Sequence, residues 1–106
     1  MPLLIVLSTF PDAPAARTVA EALVSERLVA CVNVLPSVES IYRWQGKVLA
    51  SQEVLAVMKT TADRYPEMEK RLRELHPYEV PEIVALSATA VSETYLAWVL
   101  ANTQAE

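Results

Sequence analysis

Residues Val29 to Met58 read VACVNVLPSVESIYRWQGKVLASQEVLAVM, and the fold is decided there. Val29 to Leu35 alternates along a strand, setting Cys31 and Asn33 on one face and Ala30, Val32 and Val34 on the other. Pro36 has no N–H to give to a ladder, so a bulge or an edge is expected there before Val38 to Trp44 resumes as extended chain. Gln45-Gly46 is a two-residue hairpin turn, because glycine tolerates positive φ, and it pairs Trp44 with Lys47 at the start of a returning strand through Met58. Both arms are longer than a small helix-backed sheet requires. The projecting part leaves Tyr42, Trp44, Val48 and Leu55 in need of cover, which subunit contacts would supply.

On the N-terminal side, Leu3 to Phe10 is a continuous apolar run of strand length, as expected of a central strand covered on both faces. Asp12 is placed to cap a helix with Pro14 in its first turn. Ala16, Val19, Ala20, Leu23 and Val24 give that helix one apolar face as far as about Arg27. Beyond the hairpin, Asp63 is expected to cap a second helix with Pro66 at its third position and Tyr65, Met68, Leu72 and Leu75 on its buried side. His76 precedes Pro77 and is driven out of helical geometry, so a stiff loop, His76-Pro77-Tyr78-Glu79-Val80-Pro81, follows. Glu82 to Thr89 reads as a fourth strand. Ser92 then caps a last helix with Tyr95, Leu96, Val99 and Leu100 on its apolar side.

The order β-α-β-β-α-β-α is a split pair of β-α-β units around a hairpin. This is the ferredoxin-like α/β (α+β) sandwich, with both crossover helices on one sheet face and a C-terminal helix added. Residues 1–106 suit one domain, and 53% apolar residues suffice for one core. The longest apolar stretches fall well short of the roughly 20 residues of a spanning helix, and no basic segment precedes them as in a signal peptide. A cytoplasmic protein without membrane partners is therefore expected. Nine basic against thirteen acidic side chains give a formal charge of −4, the wrong sign for neutralising phosphates, so no nucleic-acid partner is expected. The single cysteine, Cys31, permits neither an intrachain disulfide nor a CxxC motif.

Five segments together resemble the CutA1 family: Leu28 to Pro36, Ser40 to Gly46, Val57 to Thr61, His76 to Ile83, and Tyr95-Leu96-Ala97-Trp98. The resemblance implies a homotrimer with the long hairpins wrapped around neighbouring subunits, similar in architecture to the PII signalling proteins. It also implies a role in tolerance of, and response to, copper and other divalent metals. One departure stands out: family members usually carry a glycine before the final Tyr-Leu-x-Trp motif, where this chain has Thr89-Ala90-Val91-Ser92.

For a metal, His76 is the only imidazole, and Cys31 is either a soft-metal thiolate or an inert buried thiol. Two such ligands do not make a dedicated transition-metal site in one chain. Across a trimer's seams each is present three times, and Glu79 or Glu82 could add oxygen to a copper site of modest affinity. No resident cofactor is required. A second possibility is a small-molecule or anion pocket between subunits, built from Tyr42, Trp44, Lys59, His76, Tyr78 and Glu79, with Lys59-Thr60-Thr61 offering backbone N–H groups and a cation between a strand end and a helix start. A third is a scaffold for protein partners. Catalysis is not expected, since no nucleophile–base pair is evident and one glycine cannot build a P-loop, a Rossmann turn or a nucleophile elbow.

Overall fold

The computed structural model describes residues 2–105. In chain order the elements are β1 (Leu3–Phe10), α1 (Ala13–Ser25), β2 (Cys31–Trp44), β3 (Lys47–Thr61), α2 (Tyr65–Leu75), β4 (Val84–Ser87) and α3 (Glu93–Asn102). The four strands form one antiparallel sheet in the order β2-β3-β1-β4, the ferredoxin-like arrangement. Local chemistry sets the ends of two helices. Asp12 Oδ1 accepts the Ala15 N–H at 2.8 Å, and Ser92 Oγ accepts the Tyr95 N–H at 3.3 Å.

The second helix starts differently from the sequence expectation. Its N-cap is Arg64, not Asp63, and no side chain caps it. Thr61 instead takes the Arg64 N–H on its carbonyl at 3.2 Å and on Oγ1 at 3.3 Å, so a turn joins β3 to α2 directly and Pro66 falls in the first turn. Pro36 does not end its strand. It lies in a bulge between Leu35 and Val38, where the register shifts and the pairing then continues to the Gln45-Gly46 turn. Gly46 has φ +80, as that turn requires. The Thr89–Ser92 loop contains no positive φ, so the glycine usual in the family is not needed there.

Two strands have other lengths than local pattern suggested. β3 runs on through Lys59, Thr60 and Thr61 because β1 is there to pair with them, Ile5 with Lys59, Leu4 with Thr60 and Leu3 with Thr61. β4 is confined to Val84–Ser87 because only Leu4 to Leu7 of β1 face it. Leu28 to Ala30 are buried just ahead of β2.

The sheet has two unlike faces. On one, Val6 and Phe10 of β1 and Val54, Ala56 and Met58 of β3 meet Ala16, Val19 and Leu23 of α1 and Met68 and Leu72 of α2. Both crossover helices therefore share a face, as the split β-α-β pattern requires. Burying these side chains removes apolar area worth about 25 cal/mol per Å² from water, the main force holding the layers together. On the other face, α3 covers only one end, packing Val99 against Leu3 and Ala30. The rest of that face carries Ile5, Leu7, Leu55, Val57, Val84 and Leu86, with Val84 and Leu86 45% and 49% exposed. The β2–β3 hairpin projects beyond the helices and stretches the molecule to 44 Å against 27 and 22 Å in the other directions.

Candidate functional site

Where the hairpin leaves the body of the sheet, the open face is hollowed into a groove of about 600 Å³. One wall is the β2 strand, from which alternation past the bulge turns Ser40, Tyr42 and Trp44 to the same side as Glu53 of β3. The opposite wall is the loop after α2, with Tyr78, Glu79, Val80 and Glu82, and Thr9 at the end of β1 contributes to the floor. Tyr42, Trp44, Tyr78 and Glu79 from the sequence reading are thus brought together. Lys59 is absent from the groove; it lies farther along β3, bonded through its ammonium to Asn33 Oδ1 on the neighbouring strand.

The loop is held to the sheet by two residues. Tyr78 Oη donates to Glu53 Oε2 at 2.5 Å, a charge-assisted bond between the walls. Burial, reinforced by this carboxylate, holds the Tyr78 phenol well above its usual range. His76 is 7% exposed and stacks on Phe10 with ring centroids 4.4 Å apart. Its Nε2 lies 2.9 Å from the Thr9 carbonyl oxygen, which can only accept, so Nε2 carries the proton. Its Nδ1 accepts the Tyr78 N–H at 3.0 Å. Burial lowers the imidazole pKa, opposed by the bond to Thr9 and by the Glu53 charge. The ring is therefore a neutral clasp between β1 and the loop, and binding a metal would require it to release one of these partners.

Cys31 lies elsewhere, at the start of β2 on the open face, across from Lys59 and beside the Tyr95 hydroxyl. Tyr95 has its own pKa raised by burial and then by this thiol. Among the described residues no three His, Cys, Asp or Glu side chains are grouped as a metal ion would need. Thr60 is also committed: it is fully buried and its Oγ1 donates to the Leu28 carbonyl at 2.6 Å, while the segment around it is strand rather than an anion-binding helix start. Glu53 and Thr9 escaped the sequence reading. Glu53 had one visible signal, a lone carboxylate next to the apolar run from Val54 to Met58.

The CutA1 divalent ion tolerance protein family model matches residues 4–102. The divalent-cation tolerance protein CutA of Thermus thermophilus is 52% identical over 99 residues, 93% of this chain and 96% of that protein. A solved structure of the divalent cation tolerance protein from the same organism superposes with a TM-score of 0.93 at 50% identity, covering 96% of this chain and 99% of that one. Protein CutA of Arabidopsis thaliana, 36% identical over 98% of this chain and 57% of its own length, is named chloroplastic, so kinship does not fix a compartment. No helix among the described residues is long and apolar enough to cross a membrane. With its ferredoxin-like sheet, its long hairpin and a match spanning nearly every residue described, this chain belongs to the CutA1 divalent ion tolerance protein family.

Proposed function

We propose that this chain acts in divalent-cation tolerance as a cytoplasmic homotrimer of PII-like architecture that binds copper or another divalent ion with modest affinity. The observation that carries the assembly is the uncovered apolar side of the sheet, continuous with a projecting hairpin bearing Tyr42, Trp44 and Leu49. Such a face is stable in water only when something covers it, and closed symmetry lets identical copies do so without leaving an open edge. The cation role is supported by the family's description and by the names of its relatives. That description refers to ion tolerance and not to a reaction, consistent with a binding protein.

Of the candidate ligands, Glu79 is exposed on the loop, Cys31 is half-buried on the open face and His76 is engaged at both nitrogens. The seams between copies are the places where such groups could converge, with Glu79 and Cys31 the readier donors. Sedimentation analysis should give three times the 11.7 kDa chain mass; a single-chain mass at micromolar concentration overturns the assembly. Copper(II) titration calorimetry should show saturable binding weakened by Glu79→Gln or Cys31→Ser. Unchanged binding in His76→Ala removes His76 from the ligand set.

The groove favours a second role, sensing a small molecule. Its volume is within the range of sites for small ligands, and its aromatic and polar walls suit one.

A further inference from the structure

We propose that the β2–β3 hairpin has two registers one residue apart, and that neighbouring copies, by covering the open face, select the observed one. This rests on the homotrimer and specifies how its assembly surface is made. From Cys31↔Lys59 to Leu35↔Leu55 the strands pair in one register. From Val38↔Glu53 to Trp44↔Lys47 they pair one residue out of step with it, because Pro36 and Ser37 together oppose Val54. Continued without the bulge, the first register would set Ile41 against Leu49 and Arg43 against Lys47. Trp44-Gln45-Gly46 would then close the hairpin as a three-residue turn.

Each register carries a cost that the other avoids. The two-residue turn requires positive φ at both central positions and forces Gln45 to φ +51, where a residue with a Cβ is disfavoured. The three-residue turn requires it only at Gly46, and the bulge disappears. Against that, Pro36 would enter the ladder opposite Val54 without an N–H, and Arg43 would face Lys47. The bond between Ser37 Oγ and Gln52 Oε1, 2.8 Å long, would also be lost. Burial within one chain does not choose between them, since residues 41–50 are all exposed, Ile41 at 69% and Val48 at 63%. What differs is the face presented. The observed register turns Tyr42 and Trp44 to the open side, and the other turns Ile41 and Arg43 there. A neighbour covering that side takes up aromatic rings and excludes an unpaired guanidinium, so assembly favours the observed register.

Cysteine pairs read the register directly. Tyr42 and Leu49 are opposed in the observed register, whereas Ile41 and Leu49 lie on opposite faces there and meet only after the slip. Tyr42→Cys/Leu49→Cys and Ile41→Cys/Leu49→Cys are each made in the full chain with Cys31→Ser, which removes the native thiol. Both are refolded in a glutathione buffer at nanomolar and at micromolar protein concentration, and the cross-link is quantified by mass spectrometry. The Tyr42/Leu49 pair should cross-link at both concentrations, and its chains should assemble. The Ile41/Leu49 pair should cross-link at least about tenfold more at the lower concentration, and its chains should sediment singly until reduced. Gln45→Gly lifts the left-handed cost from the two-residue turn and should cut the Ile41/Leu49 yield about tenfold. No Ile41/Leu49 cross-link at nanomolar concentration, an unchanged yield in Gln45→Gly, or trimers built from chains cross-linked at that pair would each overturn the inference. A native protein that sediments as a single chain at micromolar concentration overturns selection by neighbours together with the assembly itself. The cross-link yields still report the two registers in that case, so the two failures are separable.

Discussion

Replacing His76 by Phe tests the clasp at the centre of the site. The phenyl ring can keep the stack on Phe10, at 4.4 Å between centroids in the native pair, so little apolar packing is lost. Two hydrogen bonds disappear, leaving the Thr9 carbonyl and the Tyr78 N–H without their partner. Each orphaned buried group costs about 1–3 kcal/mol, and because both bonds are only partly buried the lower end applies to each, about 2–3 kcal/mol in all. The substitution also changes the response to pH. Burial makes the folded-state imidazole pKa lower than the unfolded value near 6.5, so between the two values the unfolded chain binds the extra proton. Native stability is therefore complete above about pH 6.5 and falls as the pH drops below it toward the folded-state pKa. Guanidinium unfolding at about pH 7.5 and about pH 5.5, at matched protomer concentration, measures both effects. The native protein should lose more stability than His76→Phe across that interval. Equal losses in the two proteins, or a variant within about 0.5 kcal/mol of native at the higher pH, would refute the clasp.

Other residues give independent tests. Ser8 is fully buried and its Oγ has no hydrogen-bond partner among the described residues, so Ser8→Ala should raise stability by about 1 kcal/mol in chemical unfolding; a loss would mean an unseen partner. Gly46 has open space around its Cα but φ +80, so Gly46→Ala should cost about 1 kcal/mol through backbone strain alone, and a neutral result would refute that account. Val57→Lys places an ammonium on the open face of the central strand and should leave a folded single chain in sedimentation; an intact trimer would show that this face is not the one covered. Tyr78 is held above the usual phenol range, so its contribution to stability should be full below about pH 10 and decline as the pH rises past it; Tyr78→Phe should lessen the alkaline decline, leaving the part due to the raised Tyr65 and Tyr95 phenols.

Whatever depends on neighbours along the chain was legible before folding. Asp12 and Ser92 cap helices because their side chains reach N–H groups three residues on. Gly46 makes the turn because it admits positive φ, and the continuous apolar run of Leu3–Phe10 and the alternation of the hairpin arms give strands in the right order. Distant pairing decided the rest. Thr61 ends β3 as a strand residue and starts the next turn only because Leu3 is there to pair with it, which moved the helix cap from Asp63 to Arg64. His76 was visible as a lone imidazole, but its meaning lies in the Thr9 carbonyl, 67 residues away in the chain. Tyr78 meets Glu53 across 25 residues, while Lys59, grouped with the pocket by its place in a motif, is removed from it by the register of β2 on β3. Local pattern sets which face a strand residue occupies. Which residues share a groove depends on sheet order, on the bulge at Pro36 and on where a loop returns, and those are settled only when the chain closes on itself.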